Sequence, residues 1–93
     1  MDYLHLFNEV IKVATPLNSN KAQAKSLDQP LAETGLDSLD LLMVSIYLAE
    51  IFGVSEEIAK QVQAKTVEDL INYMHSNKTK EPASVEEAIK GIQ

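Results

Sequence analysis

Apolar residues recur at three- and four-residue intervals along much of the chain, and no stretch alternates with the period of two that is typical of a half-buried strand. A first amphipathic helix is predicted from Asp2, as its cap, to Ala14, because the Thr15-Pro16 pair that follows disfavours helical geometry. Its apolar stripe is formed by Tyr3, Leu4, Phe7, Val10, Ile11 and Ala14. This spacing predicts a helix that packs one face on a core.

A second helix is predicted to begin at Asp37 or Ser38 and to run to about Phe52, where Gly53 stops it. Its middle, residues 41–49, contains almost no polar side chain, so the helix is apolar nearly all round. For an element at the surface, that pattern indicates an additional contact.

Capping residues predict two further helices. Ser55 caps a short third helix. Thr66 caps a fourth, and Asp69 stands three residues later, as in a capping box. A long polar connection, residues 17–37, precedes the second helix and can be fastened over the others by apolar residues at Leu27, Leu31 and Leu36.

The predicted fold class is therefore all-α: a four-helix bundle over residues 1–76, with three longer helices and a short third one. Residues 77–93 form a polar extension that is either disordered or contains a short helix at 84–91. Ser84 and Glu87 resemble another capping box, which favours the helix. A helix this short is marginal in water and needs a surface on which to dock.

Composition excludes several classes of function. A chain of 93 residues has no room for a separate catalytic domain. It contains no cysteine and no arginine, which excludes disulfides, thiolate metal sites and guanidinium clamps for phosphate. Without a signal-peptide pattern, and without an apolar run near the roughly 18 residues of a membrane span, we expect a cytoplasmic protein with no membrane insertion.

The net charge of -6 is concentrated in the middle of the chain. We call residues 26–59 the acidic window, because they contain seven acids and no lysine, whereas the remainder has seven acids and eight lysines. The seven are Asp28, Glu33, Asp37, Asp40, Glu50, Glu56 and Glu57. Such a field attracts basic partners and repels nucleic acid. The alternative is a face that only confers solubility.

Residues 33–40 carry the candidate chemistry. Gly35 permits a sharp turn, Asp37 can cap the second helix, and Asp40 can reach back to the cap amide. Ser38 then lies in the first turn with its hydroxyl outside, where helix amides and the helix dipole favour an anion by about 0.3 to 1 kcal/mol. The segment is therefore pre-organised for a phosphodiester, and no base adjacent in sequence could activate this hydroxyl for catalysis.

The segment Gly35-Leu36-Asp37-Ser38-Leu39-Asp40 resembles the phosphopantetheine attachment motif of acyl carrier proteins. The spacing to Phe52 and Gly53, and to the start of the fourth helix, also resembles that family, so the likeness covers roughly residues 2–76. It implies a carrier that is not an enzyme. Ser38 would hold a covalent 4′-phosphopantetheine arm, derived from coenzyme A, that carries acyl groups as thioesters.

The resemblance also implies partners. These are a phosphopantetheinyl transferase and acyl-loading, ketosynthase or acyltransferase enzymes with basic docking surfaces, which would meet a monomeric carrier. The residues expected on the partner surface are Asp37, Leu39, Asp40, Leu42, Met43, Ile46, Glu50, Glu56 and Glu57. Those expected in the bundle interior are Val44, Leu48 and Phe52.

One departure from the family concerns the second helix. Carriers of primary fatty acid synthesis usually place several carboxylates along its exposed side, whereas the corresponding positions here include Leu41, Met43, Ala49 and Ile51. Three explanations compete: a dedicated and more hydrophobic partner enzyme, self-association, or covering by the C-terminal extension. The first is favoured, and with it a specialised lipid or polyketide-type pathway.

Two other functions remain open at this point. The chain could be a non-covalent adaptor, a degenerate carrier that uses its acidic and apolar second helix to bind a partner. It could instead be a small hydrolase with Ser38 as nucleophile. That hypothesis requires His5 or His75 within roughly 3 Å of the Ser38 hydroxyl.

Overall fold

A computed structural model describes residues 2–16 and 22–92. Within these residues the chain forms five α-helices and one 3-10 turn, and no strand. The helices are α1 (Tyr3–Ala14), α2 (Ser38–Phe52), α3 (Glu56–Lys60), α4 (Val67–Ser76) and α5 (Val85–Lys90), and the 3-10 turn spans Leu31–Glu33. The all-α prediction is confirmed, including the short third helix and the additional C-terminal one. Residues 17–21 of the predicted connection lie outside the described residues.

Each helix begins at a side chain that satisfies a free amide of its first turn. The capping residues are Asp2, Asp37, Ser55, Thr66 and Ser84. At α4 the capping box is complete, because Thr66 accepts from the Asp69 amide at 3.1 Å and the Asp69 carboxylate accepts from the Thr66 amide at 3.2 Å. At α5, Ser84 accepts from the Glu87 amide at 3.2 Å.

The core lies where α1, α2 and α4 meet. It is built from aliphatic side chains and two phenylalanines that are almost fully shielded from solvent: Leu6, Phe7, Val10 and Ile11 of α1, Val44, Leu48 and Phe52 of α2, and Val67, Leu70, Ile71 and Met74 of α4. Because α2 packs against α1, α3 and α4, it is the central element of the bundle. Its first residue, Ser38, is nevertheless exposed.

The connection before α2 is held to the bundle by apolar contacts and by backbone pairing. Leu31 and Leu36 are buried, and Leu27 packs against the core. The amide of Leu31 donates to the Lys65 carbonyl at 2.8 Å, and the amide of Val67 donates to the Gln29 carbonyl at 3.1 Å. The pairing fixes the approach to the motif relative to the start of α4.

The C-terminal residues are attached at the far end of α2. The amides of Thr79 and Lys80 donate to the Phe52 carbonyl at 2.9 and 3.2 Å, and the Thr79 hydroxyl donates to the Gly53 carbonyl at 2.6 Å. Helix α5 then packs on α1, with Ala88 buried. These contacts provide the surface that so short a helix needs.

Candidate functional site

Ser38 is the first residue of α2, directly after a capped turn. Asp37 has extended backbone geometry, and its carboxylate accepts a hydrogen bond from the Asp40 amide at 2.8 Å. Gly35 makes the preceding turn with a φ of 91°, a left-handed conformation that glycine adopts without a steric penalty. The predicted turn, cap and serine are therefore present in sequence.

Buried contacts anchor the turn before α2, and its C-terminal end is exposed to solvent. The buried Thr34 hydroxyl donates to the Leu31 carbonyl at 2.6 Å and accepts from the Leu36 amide at 3.4 Å. Leu36 itself is buried, whereas Asp37 and Ser38 are exposed. The backbone is thus held by a buried anchor two residues before the exposed hydroxyl.

The surroundings of Ser38 suit an attached phosphate. The first amides of a helix have no acceptor within it, and they carry the positive end of the helix dipole. Within the described part of the chain, no hydrogen bond engages the Ser38 hydroxyl. An anionic group attached there would lie against the amides of Ser38 and Leu39, because the Asp37 carboxylate already binds the Asp40 amide.

A cleft of about 250 Å³ opens beside Ser38, between α2 and the segment from α3 to α4. Its walls are mainly apolar; it is lined by Leu31, Ser38, Leu41, Leu42, Ser45, Ala59, Lys60, Val62, Ala64 and Leu70. The hydroxyl of Ser45 is turned back to the Leu41 carbonyl at 2.8 Å. An apolar group linked to Ser38 could therefore enter the cleft without facing an unpaired hydroxyl from Ser45.

Five residues of the predicted partner surface form one stripe on α2: Leu39, Leu42, Met43, Ile46 and Glu50. Their spacing of three and four residues places them on one face of a helix. Leu39 is 67% exposed and Leu42 is 38% exposed. An apolar stripe with an acidic end therefore runs along α2 from the residue next to Ser38.

The remaining predicted surface residues lie around this stripe or on the next helix. Asp37 is exposed and Asp40 is half-buried at the start of α2. Glu56 and Glu57 are exposed in the first turn of α3, on a separate element. The structure thus brings the α2 residues together on one helix and leaves the two α3 glutamates beyond its end.

The apolar positions noted in α2 differ in their surroundings. Ala49 and Ile51 are buried, Leu41 and Met43 are half-buried. Ile51 borders a small cavity whose other walls include Lys80, Ala88 and Ile92 of the C-terminal residues. The extension therefore accounts for part of the apolar character of α2, and the exposed remainder is the stripe that begins at Leu39.

Both histidines lie near the opposite end of α2 from Ser38. The His75 ring packs on Phe52 with centroids 6.2 Å apart and on Tyr3 at 6.1 Å. Phe52 is the last residue of α2, which at 1.5 Å per residue places it about 20 Å from Ser38. His5 follows Tyr3 by two residues and faces Glu9 at 4.0 Å. Neither can act as a base for Ser38, so the geometry argues against the hydrolase alternative.

Sequence reasoning did not anticipate a polar cluster at that far end. The Glu81 carboxylate meets Lys78 and His75 at 3.2 Å each and accepts from the Tyr3 hydroxyl at 3.3 Å. The Lys78 ammonium, followed by the His75 and Tyr3 hydrogen bonds, lowers the pKa of Glu81 below its ordinary value. Lys78 and Glu81 are three residues apart, but Tyr3 is distant in the chain. The complete cluster could therefore be identified only from the folded structure.

Over residues 2–16 and 22–92, no group of three or more histidine, cysteine or acidic side chains could hold a metal ion. Of the helices that the structure describes, none has the length and apolar character needed to cross a bilayer.

A protein-family model described as "Phosphopantetheine attachment site" matches residues 6–74. The match covers α2, with Ser38, and α3 completely, and it includes α1 from Leu6 and α4 as far as Met74. No curated protein and no solved structure matches the chain.

Proposed function

Since the chain belongs to the phosphopantetheine attachment family, whose members carry 4′-phosphopantetheine as a covalent prosthetic group, we propose that it is an acyl carrier protein with Ser38 as the attachment residue. It carries acyl intermediates as thioesters for partner enzymes and performs no catalysis itself. The proposed carrier domain is residues 1–76, with residues 77–93 as an extension.

The observation that carries this proposal is the placement of the Ser38 hydroxyl. It is exposed at the first position of α2, after a turn anchored by Thr34 and Leu36, and it adjoins an apolar cleft. The site fits a phosphodiester, because helix amides lie beside it and the hydroxyl has room for a transferase to approach.

When attached, the arm supplies a terminal thiol that holds acyl groups as thioesters. The residues of the chain act around it: Asp37 keeps the start of α2 in place, and the walls of the cleft, Leu41 and Val62 among them, can shelter apolar groups from water. A long flexible tether also presents the cargo to successive active sites at high effective concentration.

The proposed partners are a phosphopantetheinyl transferase and acyl-loading, ketosynthase or acyltransferase enzymes with basic surfaces. The acids at Asp37, Asp40 and Glu50 support fast and reversible association with such surfaces. The exposed Leu39 and Leu42 support a partner with an apolar patch at the centre of its docking site. The combination of acidic and exposed apolar residues favours a specialised lipid or polyketide-type pathway. We propose that the carrier acts as a cytoplasmic monomer.

Intact-mass measurement after incubation with coenzyme A and a broad-specificity transferase tests the proposal. The wild-type chain should gain the mass of one arm, whereas Ser38→Ala should gain nothing. Ser76→Ala removes a different exposed serine and should be modified as the wild type is. A wild-type chain that remains unmodified would favour the non-covalent adaptor, and modification of Ser38→Ala would show that the attachment residue is wrong.

The pathway is tested by the cargo. The mass of the thioester on the protein isolated from its native cells should identify the acyl group. A plain saturated fatty acyl series would contradict the specialised pathway while leaving the carrier function intact.

A further inference from the structure

Among the described residues that line the cleft beside Ser38, Lys60 carries the one charged side chain. It is the last residue of α3 and the first lysine after the acidic window. The other walls are apolar apart from the hydroxyls of Ser38 and Ser45. A single cation therefore shares this cleft with the proposed attachment point.

Lys60 is engaged only weakly in the unmodified protein. Its ammonium lies 3.6 Å from a Glu56 carboxylate oxygen, and both side chains are more than half exposed, at 56% and 62%. Exposed ion pairs of this kind, one turn apart on a helix, contribute little to stability. The lysine side chain is also long and flexible, so its ammonium can change partners at little energetic cost.

An attached phosphodiester would change the charges around Lys60. The diester adds one negative charge at Ser38, beside the carboxylates of Asp37 and Asp40 at the start of α2. These like charges repel the diester, and the helix amides offset the repulsion only in part. A cation on the opposite wall of the cleft would compensate it directly.

We propose that Lys60 is a positioning residue that leaves Glu56 and binds the phosphodiester once the arm is attached to Ser38. This inference rests on the proposed function and goes beyond it, because it assigns a residue of α3 to the prosthetic group. Lys60 thereby draws the first part of the arm over the cleft and links α3 to the start of α2.

Nuclear magnetic resonance of the fully loaded wild-type protein tests this contact. Nuclear Overhauser effects are expected between the ε-methylene protons of Lys60 and the arm methylene bonded to the phosphate oxygen. Their absence in a fully loaded sample would overturn the inference, and this measurement needs no variant.

Substitutions then separate charge from structure. Because the contact links α3 to the start of α2, loading should raise the melting temperature of the wild type. In loaded Lys60→Gln, the phosphorus-31 resonance should shift, and this gain in melting temperature should largely disappear. Lys60→Arg keeps the cation and should retain both properties. Lys90→Gln removes a lysine from α5, which adjoins the far end of α2, and should behave as the wild type. Equal phosphorus-31 shifts and equal melting gains in all four proteins would contradict the proposal.

Intact mass is recorded on every sample before these measurements. A wild-type chain that gains no arm would contradict the proposed function, whereas a loaded chain without the Lys60 contact would contradict this inference alone.

Discussion

At the residue scale, Gly53 joins two parts of the structure. Its φ of 67° ends α2 in the left-handed conformation, and its carbonyl accepts a hydrogen bond from the Thr79 hydroxyl at 2.6 Å. A Cβ at this position would clash with the Thr79 hydroxyl oxygen and would lie 3.0 Å from Cγ of Lys80. The helix end and the attachment of the C-terminal residues therefore both depend on the absence of a side chain here.

Replacing Gly53 by alanine should destabilise the protein by at least about 1 to 2 kcal/mol, because the left-handed conformation disfavours any Cβ and the clash displaces Thr79. Gly91→Ala is the matched control. Gly91 has a φ of -71°, and its nearest contacts to a Cβ are at 3.5 and 3.6 Å, so the control should be neutral or slightly stabilising. Urea unfolding measures both, and equal free energies of unfolding would contradict the argument.

Asp37 combines two roles that substitution can separate. Its carboxylate caps α2 through the Asp40 amide at 2.8 Å, and it also contributes negative charge next to Ser38. Asparagine caps about as well as aspartate, so Asp37→Asn should leave stability nearly unchanged, whereas Asp37→Ala should cost about 1 kcal/mol. In Asp37→Asn, the loss of negative charge alone should slow transfer of the arm to Ser38. Thermal unfolding and the rate of mass gain measure the two effects, and unchanged transfer in both variants would refute the charge role.

Caps and helix ends could be predicted from the sequence because they depend on neighbours three or four residues away. Thr66 with Asp69, and Gly53 after Phe52, are recognisable without knowledge of the fold. The role proposed for Lys60 could not be predicted from the sequence, since it follows from the position of α3 across a cleft from α2. No periodicity in the sequence encodes that juxtaposition.

At the scale of elements, α5 and the residues before it depend on contacts made far away in the chain. Thr79 and Lys80 bind the Phe52 carbonyl, and Glu81 joins Tyr3 of α1 to His75 of α4. A six-residue helix has little stability of its own. Its order therefore follows from this attachment, which is why the sequence left disorder and helix as alternatives for the extension.

Glu81 makes this attachment sensitive to acid. Its pKa is lowered in the folded protein, first by the hydrogen bond and charge of Lys78 and then by hydrogen bonds from His75 and Tyr3. A lowered folded pKa means that the contribution is fully present above the ordinary value of 4.5 and is lost as the pH falls through the folded value. We expect the C-terminal residues to loosen in that acidic range before the core unfolds.

The amide resonances of Thr79 and Ala88, followed from about pH 6 to about pH 3, measure this loosening. In Glu81→Gln the carboxylate is absent, so the attachment should be weaker at pH 6 and should change less on acidification. Glu86→Gln removes a neighbouring exposed carboxylate on α5 and should follow the wild type. Identical pH profiles for wild type and Glu81→Gln would exclude the cluster as the cause.

At the scale of the whole molecule, Asp37 and Asp40 of the acidic window flank Ser38, and the apolar stripe of α2 begins beside it at Leu39. The core helices and their burial could be predicted, because Val44, Leu48 and Phe52 repeat at the spacing of one helix face and are fully buried. The path of the connection before α2 could not be predicted, since it depends on backbone pairing between Pro30 and Thr66. Long-range pairing of this kind is determined by the packing of the helices and has no local signal.

The distribution of charge yields a prediction for association with the transferase. If the acidic window steers a basic partner towards Ser38, the rate of arm transfer should fall as salt rises, because the Debye length shrinks from about 10 Å at 0.1 M to about 3 Å at 1 M. Asp40 lies two residues from Ser38 in the first turn of α2, whereas Glu86 lies in α5, which adjoins the opposite end of α2.

Asp40→Lys should therefore slow transfer more than Glu86→Lys, although both substitutions change the net charge equally. The difference between the two variants should shrink in high salt, since screening weakens the field that each substitution alters. Intact-mass measurements on quenched time points at several salt concentrations give the rates of arm transfer. Circular dichroism verifies that Asp40→Lys keeps its helices. Equal slowing by both substitutions would mean that the partner responds to total charge, and that the position of the acidic window next to Ser38 has no part in recognition.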